Sequence, residues 1–301
     1  HGRPVIHLYG VLEGGGTFVV RDNTTRPLFY ILEDELPAAL RVAPVSGRPS
    51  SLRSPQGRPL REVTAATPAR LKVLREQLES SGISTFEGDI SFVTRFLLDR
   101  GLRGSIEIEG AWTAGRRVDR IYLNPRLQPS DWIPSLTVLS LDIETSPDAG
   151  EVLSVALWGA GVREVLVIDD GRLPAVVTVA GEEARVIPCS GELALLRGLL
   201  ERLRAIDPDV LTGWNVIDFD LRVLLEHFDA HHVPFHLGRA DLPARLLLDN
   251  AVWGTSRAQV PGRVVLDGLS LLRSTFVRLE DYRLETAARE VLGKGKTIVA
   301  A

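Results

Sequence analysis

Residues 139–145 read Leu-Ser-Leu-Asp-Ile-Glu-Thr, an apolar run ending in two carboxylates one residue apart, and no other stretch constrains the chain so tightly. Alternation of this kind has the period of a strand. Successive strand side chains point to opposite faces, so Asp142 and Glu144 share one face at the end of a buried strand. Two carboxylates side by side repel, and a divalent cation bound by oxygen ligands is the usual relief.

The flanking pattern places this strand in a larger sheet. Strands are predicted at 137–143, 152–158 and 164–168, with turn chemistry between them that favours an antiparallel meander. The period then changes. Leu193, Leu196, Leu200 and Leu203 mark an amphipathic helix started by Ser190, Val210 and Leu211 a short strand ending at Gly213-Trp214-Asn215, and 218–231 a second helix. A buried strand at 263–267 and a helix over 284–292, closed by Gly293, complete the pattern. Strands in series followed by alternating helices and strands make a mixed α/β sheet with helices on its faces.

Ahead of this lies a region rich in β-structure. Strands are expected at 5–12, 17–20 and 28–32, a helix after Thr67-Pro68 with Gly82 as its stop, and a second short helix from Ser91 to Gly101. Three prolines and no periodicity between Asn124 and Pro134 mark a boundary. The expected domains are 1–130, smaller and β-rich, and 131–301, α/β. A length of 301 residues with 45% hydrophobic content suits two globular domains. A formal charge of −4 supplies no global field for a polyanion, so any nucleic-acid contact must come from local patches. The single cysteine, Cys189, excludes an internal disulfide framework and any multi-thiolate zinc site. With no apolar run of 18 residues and no signal-peptide pattern, the expected setting is cytoplasmic, the bacterial cytosol or nucleoid.

A second polar cluster, Asn215-Val216-Ile217-Asp218-Phe219-Asp220, stands where a strand gives way to a helix. An acid in a first helical turn is stabilised by the helix dipole and can reach a metal held by a neighbouring strand; Asp218 and Asp220 both meet that requirement. In order, strand Asp-x-Glu, a hairpin and helix, then Asn-x-x-x-Phe-Asp resembles the first two exonuclease motifs of the DnaQ-like 3′→5′ exonucleases. The nearest likeness is the RNase H-like proofreading domain of family B DNA polymerases. Asp-Val-Leu-Thr-Gly-Trp-Asn (209–215), Gly-Arg-Val-Val-Leu-Asp-Gly-Leu-Ser-Leu-Leu-Arg (262–273) and the run from Tyr282 to Lys296 are similar to the segments that follow in this family, most closely in its bacterial polymerase II branch.

The resemblance implies specific roles. Asp142, Glu144 and Asp220 match the motifs' catalytic metal ligands, and Asn215 and Phe219 their substrate-side residues; Asp218 is left as a residue satisfying helix N-terminal N–H groups. The implied cofactors are two Mg²⁺ or Mn²⁺ ions about 3.5–4 Å apart, one activating a water and the other stabilising the leaving 3′ oxygen. The implied partners are DNA, as a single-stranded 3′ end or primer-template, and the rest of a polymerase chain. A sliding clamp belongs to the same setting, with no motif here assigned to it. The family's third motif, Tyr-x-x-x-Asp, does not occur after Lys296, and the Ser-Leu-Tyr-Pro-like palm motif is absent. The chain therefore reads as an N-terminal polymerase fragment, unable to polymerise and with a crippled exonuclease. The alternatives are a non-catalytic module binding single-stranded DNA or template, and a free-standing DnaQ-like nuclease.

Other features have plainer readings. His227 and His231 have the i, i+4 spacing of helical zinc sites but lack a third ligand at suitable spacing. Gly293-Lys-Gly-Lys-Thr297 lacks the earlier glycine of a phosphate loop. Between Arg41 and Lys72 seven basic residues accompany one acid, Glu62, which suits either a solvated loop or a phosphate track. Trp158 and Trp214 read as core.

Overall fold

Short alternating segments with glycine and proline turns build the first half of the chain, in a computed structural model that describes residues 2–169, 171–179, 181–249, 256–275, 277–293 and 295. Strands β1 (Ile6–Val11) and β2 (Thr17–Asp22) make a hairpin, its turn closed by Gly15 and Gly16 at φ 88° and 84°, where a Cβ would be strained. After β3 (Leu28–Leu32) come α1 (Leu36–Val42), β4 (Pro49–Arg53), β5 (Pro59–Thr64), α2 (Pro68–Ser80), β6 (Thr85–Phe86) and α3 (Phe92–Asp99). Strands β7 (Ile106–Glu109), β8 (Trp112–Ala114), β9 (Arg120–Leu123) and β10 (Arg126–Pro129) complete the unit. The sheet orders are β1-β2-β9-β8, β4-β5-β3-β6 and β10-β7.

Helix α2 starts as its sequence dictates. Thr67 accepts the Arg70 N–H and Pro68 occupies the first turn, while Leu78 closes over Phe29, Ile31 and Val63 in a small core. Ser91 caps α3 in the same way through the Thr94 N–H. The basic stretch folds back on local acids: Arg48 pairs with Glu62, Arg58 with Asp34, Arg61 with Glu33 and Lys72 with Glu76. Much of its charge is thus answered within the unit.

The chain divides between Pro134 and Ser135 into two compact units. The second contains β11 (Val138–Thr145), β12 (Val152–Gly159), β13 (Val162–Ile168), β14 (Val176–Val179), β15 (Glu182–Cys189), α4 (Glu192–Ile206), β16 (Val210–Gly213), α5 (Asp220–Ala230), β17 (Arg245–Leu247), β18 (Arg257–Gln259), β19 (Val264–Asp267), α6 (Gly268–Ser274) and α7 (Leu284–Leu292). Seven strands form a mixed sheet in the order β14-β15-β13-β12-β11-β16-β19. The predicted meander is present, with β11, β12 and β13 antiparallel, whereas β16 joins β11 in parallel and β19 joins β16 in parallel. Parallel neighbours need a crossover, supplied here by α4 and by the stretch containing α5.

Leu195, Leu196, Leu199 and Leu203 of α4 and Leu221, Leu224 and Phe228 of α5 pack with Leu139, Leu141, Val155, Leu157 and Leu166 of the sheet. Full burial of each such side chain contributes about 1.5–3 kcal/mol. At the edge of this core Glu164 on β13 is held bidentately by Arg202 of α4, at 2.7 and 2.9 Å.

Four local expectations change in the structure. Helix α4 starts after Gly191 rather than Ser190, and Glu192 in its first turn accepts the Val152 N–H at 2.7 Å. Helix α5 starts at Asp220, because Asn215 at φ 57° and a turn through 216–219 use up the residues before it. Strand β19 is an edge, so Val264 and Leu266 are 53% and 38% exposed. Trp158 is 48% exposed: the pleat turns Leu157 into the core and Trp158 outward, where Arg163 lies 4.6 Å from its ring centroid. Lys294, Lys296 and Trp253 lie outside the described residues.

The Asp207/Asp209 pair is answered by two buried guanidiniums. Arg239 donates to Asp207 and pairs with Asp209, each at 2.9 Å, while Arg263 pairs with Asp207 and donates to the carbonyls of Leu203, Pro208 and Leu237. Asp209 also accepts the Thr137 N–H at 2.8 Å, tying the start of β16 to the start of β11. Burial lowers the Arg263 guanidinium to about 10.

Gly213, where β16 leaves the sheet, has no room for a side chain. A Cβ there would lie 2.6 Å from the Leu141 carbonyl oxygen and 2.9 Å from the Val216 Cβ. Gly213→Ala is expected to destabilise the second unit by about 1–3 kcal/mol through overpacking. Chemical denaturation would measure the loss, and a value within error of zero would contradict the packing described.

Candidate active site

The departure of β16 from β11 creates the site. Parallel pairing of the two strands runs from Val138↔Val210 to Ser140↔Thr212, and β11 continues to Thr145. In that extension Leu141 and Ile143 are buried while Asp142 and Glu144 are exposed, so the two acids share the open face of a strand buried on its other side. They stand opposite Ala156 and Ser154 of β12.

Asp220 arrives from the other direction. It opens α5, is only 2% exposed, and its Oδ1 accepts the Ile143 N–H at 3.0 Å. The second cluster is thereby fixed to the strand residue between Asp142 and Glu144. Asn215 takes the left-handed backbone conformation that asparagine tolerates well, and its carbonyl accepts the Phe219 N–H at 3.0 Å. The turn delivers Asp220 inward and leaves Phe219 40% exposed beside it, whereas Asp218 is exposed.

Opposing effects act on the Asp220 carboxyl. Its own N–H and that of Ile143 favour the anion, as does a position in a first helical turn. Burial opposes them as the largest effect, and the nearby charges of Asp142 and then Asp267 add to it. Burial and like charge win, pushing the carboxyl from 3.8 up to about 7. Asp142 and Asp220 therefore press on each other, as the sequence anticipates for closely placed acids, but across two elements rather than along one strand.

A carboxylate-only donor set suits a hard divalent cation. Asp142 and Asp220 fit such an ion as an apposed pair, and Glu144 shares the open face of β11. Among the described residues no three His, Cys, Asp or Glu side chains are grouped to hold a metal ion, so the acids form a pair rather than a closed ligand shell. His227 and His231 are used differently. They meet the two oxygens of Glu192 at 2.7 Å each, and His227 Nε2 lies 3.1 Å from the Ala149 carbonyl, joining α4, α5 and the loop after β11.

Residues 83–287 match the family described as DNA polymerase family B, exonuclease domain. DNA polymerase II of Escherichia coli (strain K12) is 33% identical across 74% of this chain and 27% of its own length. DNA polymerase 1 of Pyrococcus abyssi is 24% identical across the whole chain and 36% of its own length. In structure, the family B DNA polymerase of the hyperthermophilic archaeon Pyrobaculum calidifontis superposes with a TM-score of 0.73 at 26% identity, covering 96% of this chain and 38% of that one. The chain thus spans roughly a quarter to two-fifths of the length of these relatives.

Proposed function

The chain belongs to the family B DNA polymerases, with their exonuclease domain matched over most of its length, and from that premise we propose that its second unit hydrolyses 3′-terminal phosphodiesters of DNA. In this reading residues 1–134 are the N-terminal domain of a polymerase and 135–301 its proofreading unit. The observation that carries the proposal is the apposition of Asp142 with buried Asp220 across β11 and α5, two carboxylates kept close at an electrostatic cost that a bound cation would relieve at neutral pH.

Asp142, Glu144 and Asp220 are the residues that would hold Mg²⁺ or Mn²⁺, which when bound would activate a water as nucleophile and stabilise the leaving oxygen. The Ile143 N–H orients the Asp220 carboxylate. Phe219, exposed beside the acids, offers an aromatic face to the terminal base, and base stacking of this kind tolerates any sequence. The Asn215 turn fixes where that ring stands. Attack on the last phosphorus breaks its bond to the 3′ oxygen and releases a nucleoside 5′-monophosphate. The pairing of basic residues in the first unit with local acids weighs against a module that only binds nucleic acid.

A 5′-labelled single strand incubated with the chain and Mn²⁺ tests the reading. The expected result is slow shortening from the 3′ end, with mononucleotides as product, no activity in EDTA, and much faster turnover in a protein that continues into a Tyr-x-x-x-Asp segment. Hydrolysis indifferent to divalent ions, or shortening from the 5′ end, would overturn it.

A further inference from the structure

Asp267 stands outside the acidic motifs yet ties the second of them in place. It ends β19 opposite Gly213, is 6% exposed, and uses its two oxygens on two different elements. Oδ1 accepts the Leu269 and Ser270 N–H groups, at 2.9 and 3.2 Å, and so caps α6. Oδ2 accepts the buried Ile217 N–H at 3.2 Å, in the middle of the turn from Asn215 to Asp220. The sheet alone does not fix this turn, because β16 has already ended at Gly213. Packing around it is close: a Cβ on Gly268 would lie 3.1 Å from the Gly213 carbonyl and 3.3 Å from the Trp214 ring.

We propose that Asp267 is a positioning residue of the acidic centre, holding the Ile217 amide so that the turn delivers Asp220 to β11 and Phe219 to the substrate side. The proposal rests on the exonuclease reading for its consequence, not for its geometry. Both carboxylate oxygens are needed. Asparagine or serine can still cap α6, as good N-cap residues, but neither presents a second acceptor to Ile217. Helix capping and positioning can therefore be separated by substitution.

Asp267→Asn and Asp267→Ser are both to be compared with the unmodified chain, by amide exchange resolved to the 215–219 and 269–274 segments and by titration with Mn²⁺. Positioning requires that both variants keep a cooperative unfolding transition and near-normal exchange in α6, while exchange at Ile217 accelerates at least about tenfold. Mn²⁺ affinity should fall by about 10- to 100-fold, the usual consequence of losing an outer-shell partner. Leu203→Ala, which loosens the core from α4, serves as a control for general destabilisation and should leave Mn²⁺ affinity within about twofold. Unchanged exchange at Ile217 would overturn the proposed contact. Faster exchange with unchanged Mn²⁺ affinity, or an equal loss of affinity in Leu203→Ala, would overturn the positioning role. An unmodified chain that takes up no Mn²⁺ would fell the exonuclease reading and the positioning role with it, whereas an effect confined to the variants would leave that reading standing.

Discussion

Asp220→Asn is expected to make the metal-free second unit more stable at pH 7.5, by at most about 4 kcal/mol, and to leave it nearly unchanged at pH 4. The unfolded chain releases the Asp220 proton near 3.8, while the folded state holds it to about 7, so between those values the folded state binds the extra proton. Stability contributed by that proton is fully present below pH 4, falls as pH rises toward 7, and is level above. At 1.36 kcal/mol per pH unit the interval corresponds to the stated limit. Asparagine keeps an oxygen for the Ile143 N–H and removes the charge that burial and Asp142 oppose.

Other groups titrate too, and the paired comparison removes them. Hydrogen bonds from Thr24 and Thr25 hold Asp22 below the ordinary carboxylate value despite burial, and those from Thr137 and Arg239 do the same for Asp209, so both lose their contribution only as pH falls below about 4. Burial, helped by Arg21, depresses His7, so its contribution grows as pH rises toward 6.5, against the direction of Asp220. Amide exchange of β11 in EDTA across pH 4–8 would report the second unit by itself. Mn²⁺ should restore stability to the unmodified protein, by about 2.7 kcal/mol at a hundred times its dissociation constant, and do little for Asp220→Asn. Parallel pH profiles for the two proteins would show that Asp220 is an ordinary carboxylate and that no charge strain is stored at the site.

Asp142→Ala is expected to lower the rate of 3′-terminal hydrolysis at least about 10³-fold. Bound cations supply several kcal/mol of transition-state charge stabilisation, and each 1.36 kcal/mol is tenfold in rate, so forfeiting one ion's ligand has an effect of this size. Because Asp142 is exposed on the open face of β11, its removal should leave folding intact. It should also relieve Asp220, so that adding Asp220→Asn to Asp142→Ala stabilises the metal-free unit by less than it does alone, a coupling that a double-mutant cycle measures. Phe219→Ala, which removes a stacking face but no ligand, should cost closer to tenfold. Single-turnover release of mononucleotide would rank these two variants against the unmodified protein. A fall of less than tenfold for Asp142→Ala would mean that the metal centre is built elsewhere.

The histidines and the scattered acids show how far pattern reading reaches. Spacing offers His227 and His231 no third ligand, and it gives no sign of Glu192, thirty-five residues before His227, whose two oxygens meet both rings. The Asp207/Asp209 pair carries no local sign of its partners, because Arg239 and Arg263 arrive from a later part of the chain. Trp158 reads as core in an apolar run, yet the pleat that buries Leu157 must expose it. Helix α5 is two residues shorter than its polar start suggests because the Asn215 turn consumes them.

What the sequence determined by itself is the strand that carries Asp142 and Glu144 on one face, the meander that follows and the family likeness, because strand period, turn chemistry and motif spacing are local properties. Only the tertiary structure decided that Asp220 is buried against the Ile143 amide, that its proton is held to about 7, and that Asp267 secures the intervening turn. Those outcomes depend on β16 ending where β11 continues and on β19 closing beside it, and hydrogen bonds, burial and charge between segments fifty to eighty residues apart leave no mark on local pattern.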